Sequence, residues 1–153
     1  MKKSWIEKLN SAEGLPKTVK LEGEVAAKWG GGTMYIATPI EIDEIMKSVP
    51  KGKLITSNGI RDILAKRHKT DIACPLTTGI FTWIAANAAE EIAAKGGKNT
   101  TAWWRTLKVK GELNSKYPGG LVHQKTMLEN EGHKIVAKGK KMFVVNFEKK
   151  LIQ

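Results

Sequence analysis

Thr101-Ala102-Trp103-Trp104-Arg105 sets two adjacent indoles ahead of a guanidinium, and Tyr117-Pro118-Gly119-Gly120 follows shortly after. Each indole carries a large apolar area and one N–H that wants a partner. The pair therefore belongs either in a core or in a pocket that receives something flat. What lies upstream reads as a platform for this segment, and what lies downstream as a basic lid beside it.

Upstream, Ile40, Ile42, Ile45, Met46 and Val49 follow helical spacing from Pro39 until Pro50-Lys51-Gly52 breaks it. Lys53 to Thr56 reads as a short strand. Ser57 or Asn58 is placed to cap the next helix, with Ile60, Ile63 and Leu64 inward and Arg61, Lys66 and Arg67 outward. A short polar turn, His68 to Asp71, comes next. Pro75 then suits the first turn of a longer helix that reaches about Lys95 and stops at Gly96-Gly97. Leu76, Ile80, Trp83, Ile84 and Ile92 line one face of it, with Thr77, Thr78 and Thr82 on or near another. Helix, turn and longer second helix is the helix-turn-helix arrangement, whose second helix lies against a nucleic-acid groove.

Downstream, Leu107 to Val109 and a Lys110-Gly111 turn read as a strand entering a wing. A helix from about Leu121 to Glu131 ends at Gly132. Lys134–Lys138 and Met142–Phe147 around Gly139 form a β-hairpin. The predicted fold is α+β, mainly α: a winged helix-turn-helix with a small β wing. Residues 1–37 read as an N-terminal arm and 38–153 as the domain. In the arm, Ser4 caps a short amphipathic helix carrying Trp5, Ile6 and Leu9, whereas Gly14, Pro16 and Gly30-Gly31-Gly32 interrupt anything longer. The triple glycine lacks the Gly-Lys-Ser/Thr ending of a phosphate loop and reads as a turn.

The 153 residues suffice for a buried core, and no apolar run approaches the roughly 18 residues of a membrane span. Met1-Lys2-Lys3 is followed by Ser4, Glu7 and Lys8 rather than an apolar run, so the expected address is the cytoplasm, at the nucleoid. One cysteine, Cys74, rules out an internal disulfide, and His68, His123 and His133 lack metal-binding spacing. No metal or cofactor is implied. The net charge is +11, and residues 105–153 hold eleven Lys/Arg against four Asp/Glu. A basic half beside a near-neutral one fits a polyanion-facing side, or a merely solvated lysine-rich surface.

Val49-Pro50-Lys51-Gly52-Lys53, the helix-turn-helix, Ala102-Trp103-Trp104-Arg105, Gly111-Glu112-Leu113, Tyr117-Pro118-Gly119-Gly120, Lys125, Leu128 and Glu131-Gly132 together resemble the C-terminal DNA-binding domain of O6-alkylguanine-DNA alkyltransferases. The resemblance covers roughly residues 38–134 in unbroken order. In that family a Pro-Cys-His-Arg segment holds the cysteine that takes an alkyl group from a flipped guanine. Here Trp103 stands at the nucleophile's place and Trp104 at that of its activating histidine, and an indole cannot replace a thiolate. Cysteine-to-tryptophan replacement marks the alkyltransferase-like proteins, which bind damaged DNA without repairing it and pass the site to nucleotide excision repair.

The resemblance implies a lesion pocket of Trp103, Trp104, Arg105, Tyr117 and Glu131, with Arg105 structural. It also implies DNA contacts from Lys51, Lys53, Pro75, Thr77, Thr78, Lys110, Lys116 and Lys125. The implied partners are double-stranded DNA, alkylated or plain, and excision-repair proteins; no membrane is implied. The sequence departs from the family at Ser57, where a phosphate-rotating tyrosine is usual, and at Pro75, where an arginine fills the gap left by the flipped base. Residues 84–101 are also longer than the family's asparagine-bearing connection. Two other readings stand beside this one: a winged-helix regulator or architectural protein without lesion recognition, and an enzyme using Cys74, at a helix start, as alkyl acceptor.

Overall fold

The computed structural model describes residues 3–29 and 32–152. Helix α1 (Trp5–Leu9) opens the chain, followed by β1 (Lys17–Lys20), α2 (Gly23–Trp29) and β2 (Thr33–Ile36). Helix α3 (Pro39–Lys47), β3 (Ile55–Thr56), α4 (Ser57–His68), β4 (Ile72–Ala73) and α5 (Pro75–Ala94) form the central bundle. A 3-10 turn at Trp103–Arg105 leads into β5 (Thr106–Leu107), and a second at Val109–Gly111 leads on to α6 (Gly120–Asn130) and the hairpin β6 (Ile135–Lys138) and β7 (Lys141–Val144). The fold is α+β and mainly helical, with α4 and α5 as the helix-turn-helix.

The N-terminal segment is tied down at two places. Ser4 and Glu7 form a reciprocal cap on α1, and the Glu91 carboxylate of α5 accepts from the Trp5 and Ile6 amides at 3.3 and 3.1 Å. An anion at a helix N-terminus is favourable, and Trp5 then meets Trp83 edge-on, centroids 4.7 Å apart. Strand β1 runs antiparallel to β2, which runs parallel to β4. Strand β4, unexpected from the sequence, falls just beyond the predicted polar turn. Only Gly32 of the triple glycine can be placed: its amide, like that of Thr33, donates to Asp71. Gly30 and Gly31 lie outside the described residues.

Several local expectations shift. Helix α4 is capped by the Thr56 hydroxyl, which accepts from the Gly59 amide, rather than by Ser57 or Asn58. Arg61, read as outward, folds back to donate from Nε to the Ala73 carbonyl. On α5 the large apolar stripe is split: Ile84 is buried, while Leu76 and Ile80 stand in solvent. The buried face is built from Thr78, Thr82, Ala85, Ala86, Ala88 and Ala89. Helix α5 is packed by α1, α3 and α4, and small side chains let those backbones approach closely. The two threonines spend their hydroxyls on the helix itself, Thr78 donating to Cys74 O at 2.7 Å and Thr82 to Gly79 O at 2.9 Å.

Two cores result. The larger joins α3, α4 and α5 with Tyr35, Trp103 and Tyr117; the smaller gathers Leu54, Leu107, Leu113, Leu128 and Val144 under the hairpin. Trp104 packs against both. The parallel pair β3–β5 joins them, with Ile55 opposite Thr106 and Thr56 opposite Leu107. Among the described residues no helix is long and apolar enough to cross a membrane.

His133, just past α6, is buried with its Nε2 unpartnered. Burial holds this imidazole below its usual range; Glu131 opposes the shift, and Lys150 and Arg105 add to it. A depressed folded-state value makes its contribution complete above the unfolded value of about 6.5 and lost as pH falls through the folded one. The thermal midpoint should therefore fall as pH is lowered below about 6.5, and His133→Leu should flatten that fall. Differential scanning calorimetry over a series of pH values checks this.

Candidate nucleic-acid interface

Glu131 is the hub of the predicted site. Its carboxylate accepts from Arg105 Nε and Nη2 at 2.9 and 2.7 Å, from Trp104 Nε1 at 3.0 Å and from the Gly52 amide at 3.4 Å. Arg105 also donates from Nη1 to the Val49 carbonyl at 2.8 Å. Burial raises the Glu131 carboxyl, but the bonds from Arg105, Trp104 and Gly52 outweigh it and leave the group below the usual carboxylate range. The cluster clamps the end of α6, the double-tryptophan turn and the loop after α3 together. It is a structural knot, and neither Trp104 nor Arg105 nor Glu131 lines the cleft described below.

Trp103 is core, only 1% exposed. It meets Trp104, Tyr117 and His123 edge-on at 5.7, 5.6 and 5.5 Å. Of the five predicted pocket residues, Tyr117 alone lines the cleft described below, and Trp103 packs edge-on against it. Burial pushes the Tyr117 hydroxyl up to about 12, against the bonding of Thr82 and Asn114, so it stays protonated at neutral pH. Gly119 adopts φ +78 at the start of α6, where a Cβ would collide with His123.

The cleft runs between the start of α5 and the segment from Leu107 to Tyr117, closed at one end by Lys141 and Phe143 of β7. This part measures about 490 Å³. A second part of about 660 Å³, along Leu76, Ile80 and Trp83, shares Gly79, Lys108 and Asn114 with it. Lys108, Lys110 and Lys141 face the first part, with Glu112 as the counter-charge 3.8 Å from Lys108, and Lys116 faces the second. Lys110 turns the rim in a left-handed conformation, φ 69. The volume lies in the range of sites for compact ligands, about 300–1,000 Å³, and its charge suits phosphate.

Of the predicted DNA contacts, Pro75, Lys110 and Lys116 line this cleft. Thr77 is half-buried on α5 and lines neither part. Thr78 is corrected outright: at 1% exposure, bonded to Cys74 O, it faces the core. Lys51, Lys53 and Lys125 also lie off the cleft, the first two in the turn that Glu131 holds through Gly52. Lys108 and Lys141 were not singled out in the sequence, because only the parallel β3–β5 pairing and the hairpin bring them there.

Gln124 was also missed. Fully buried, it donates to the carbonyls of Trp104 and Thr106 at 3.1 and 3.3 Å and accepts from the Asn114 amide at 2.8 Å. An amide one turn before Leu128 on a core-facing helix is the signal that could have found it. Cys74, the candidate acceptor, is buried at the start of α5. His68, the nearest histidine in sequence, is instead stacked on Tyr35 and bonded to Glu41 at 2.7 Å. His68 is thus engaged by Glu41 and Tyr35.

No protein-family model matches the sequence, and neither does any curated protein. The fold is shared with solved structures. One is Atl1 of S. pombe in complex with damaged DNA containing O6-carboxymethylguanine, at 17% identity and a TM-score of 0.51. Another is S. pombe ATL in complex with DNA, at 17% identity and a TM-score of 0.50. Each match covers 75% of this chain and 94% of the S. pombe chain. At that identity the likeness is one of fold.

Arg105→Ala strands the buried Glu131 charge and should destabilise the chain by about 3–5 kcal/mol. Gln124→Leu leaves two carbonyls and one amide without their partner and should cost about 3 kcal/mol. Urea denaturation of both variants against wild type measures these losses.

Proposed function

We propose that the chain binds double-stranded DNA through the cleft beside α5, in the manner of an alkyltransferase-like protein: it reads an alkylated base of the O6-alkylguanine type, transfers nothing and marks the site for repair. The observation that carries this reading is the juxtaposition of Lys108, Lys110, Lys116 and Lys141 with the exposed start of the second helix of the helix-turn-helix, around a cleft with Tyr117 in its wall. Phosphates meet the lysines, and the cleft receives the base. The fold shared with Atl1, whose structure holds damaged DNA containing O6-carboxymethylguanine, supports it. So does a tryptophan at the alkyl-acceptor position of the family resembled, since an indole has no lone pair suited to attack an alkyl carbon.

Gly79 fits the same reading. It lies inside α5 on the cleft floor, where an added Cβ meets nothing within 4 Å. A helix-interior glycine costs about 0.5–1 kcal/mol relative to alanine, and in return leaves bare backbone for close approach.

A second reading, a DNA-binding regulator or architectural protein without lesion recognition, is favoured by one observation. Trp103 is sealed in the core instead of lining the cleft. Selection of bound sequences from a random duplex pool separates the two, because a sharp consensus with equal affinity for alkylated and plain DNA selects the regulator.

Fluorescence anisotropy with an O6-methylguanine duplex and its unmodified twin tests the first reading. Affinity should fall with salt at a log–log slope of about −3 to −4 if each of the four lysines meets one phosphate. The double variant Lys108→Ala/Lys141→Ala should make that slope shallower by about 2. The alkylated duplex should bind tighter; equal affinities would remove the lesion reader, and salt-insensitive binding would remove the phosphate cleft. Gly79→Ala should raise stability by about 0.5–1 kcal/mol while weakening DNA binding, measured by urea denaturation and the same anisotropy assay.

A further inference from the structure

The β6–β7 hairpin turns one face to the core and the other to water. Ile135, Met142 and Val144 face inward onto the smaller core. Alternation along the ladder then sets Lys134, Val136 and Lys138 on the outer face, beside Lys141, Phe143 and Val145 of the neighbouring strand. Val136 is 37% exposed and Val145 36%, with the half-buried Phe143 ring beside them. The lysines stand in solvent. An apolar, aromatic centre rimmed by ammonium groups fits a ligand that is flat and apolar in one part and anionic in another.

The rung at the turn is costly. Lys138 stands directly opposite Lys141, and like charges across a ladder destabilise it. Lys140 sits in the turn between them, and the nearby acid, Glu112, bridged to Phe143, meets Lys108 at 3.8 Å. A polyanion laid across the tip turns this repulsion into attraction. The Lys138 ammonium lies over the Phe143 ring, 5.5 Å from its centroid, within cation–π reach. When a phosphate draws that ammonium outward, the ring face is free for another flat group.

We infer that the outer face of the hairpin is a second nucleic-acid site, one for single-stranded DNA: a base stacks on Phe143, with Val136 and Val145 beside it, and the flanking phosphates meet Lys138, Lys140 and Lys141. Single-strand sites combine a cationic track with aromatic side chains on which bases stack, whatever their sequence. In a duplex the base faces are covered by their neighbours, so the ring gains nothing from paired DNA. Lys141 and Phe143 also close one end of the cleft, which lets an unpaired strand run from the hairpin towards α5. The site goes beyond the duplex reading above and is tested apart from it.

Fluorescence anisotropy with a labelled oligothymidylate of about ten nucleotides, within the span of known single-strand sites, tests the platform. Wild type should bind it with a log–log salt slope of about −2 if each of the three lysines meets one phosphate. Lys138→Ala/Lys140→Ala should make that slope shallower by about 1.4, and its thermal midpoint should rise because the opposed charges are gone. Phe143→Leu should weaken binding by about tenfold, the loss of one stacked base, and Phe143→Trp should restore it. No binding of the oligothymidylate, an unchanged slope in the lysine variant or an unchanged affinity in Phe143→Leu would each overturn the platform and leave the duplex reading standing. Oligothymidylate bound as expected, with no binding to either duplex, would keep the platform and remove the duplex reading.

Discussion

The charged knot between Arg105 and Glu131 is the constraint on which the rest depends. One carboxylate takes two nitrogens of a guanidinium, an indole N–H and a backbone amide, and the third guanidinium nitrogen reaches on to the Val49 carbonyl. Three segments far apart in the chain meet at this group: the loop after α3, the double-tryptophan turn and the end of α6. A bidentate Arg–carboxylate pair has the planar fit that such a junction needs. Because the junction lies between the two hydrophobic cores, with Trp104 touching both, it sets how the hairpin half meets the helical half.

The cleft follows from that junction. Its one wall is the start of α5, in the helical half; its other wall is the segment from Leu107 to Tyr117, which leaves the knot directly and is pinned to α6 by Gln124. The site is thus carried by elements whose spacing is set by buried polar bonds rather than by loop conformation. Trp103 contributes from behind, as the core residue against which Tyr117 rests. The double tryptophan, first read as core or pocket, is mainly core, and it serves the cleft by positioning its wall.

Much of the fold was legible because strong local signals agreed. Pro39 and Pro75 start helices, Gly96-Gly97 and Gly132 follow helix ends, and the hairpin around Gly139 forms in the expected place. What misled were the faces of α5. Apolar spacing groups the large side chains into one stripe, yet Leu76 and Ile80 face water while alanines and two back-bonded threonines face in. A helix surrounded on several sides is selected for closeness of approach, which small residues provide, and apolar periodicity carries no record of that. The same blindness placed Thr78 on the outside and passed over Gln124.

By itself the sequence determined the order and type of the main elements and the excess of positive charge in the last third. Those are properties of residue type and local spacing, which need no partner to be read. Only the tertiary structure decided that Arg105, Trp104 and Glu131 knot together instead of lining a pocket, that Lys108 and Lys141 face one cleft, and that Leu76 stands free at its edge. Each of these depends on contacts between segments 20 or more residues apart, and the direction of a side chain is set by what packs against its element.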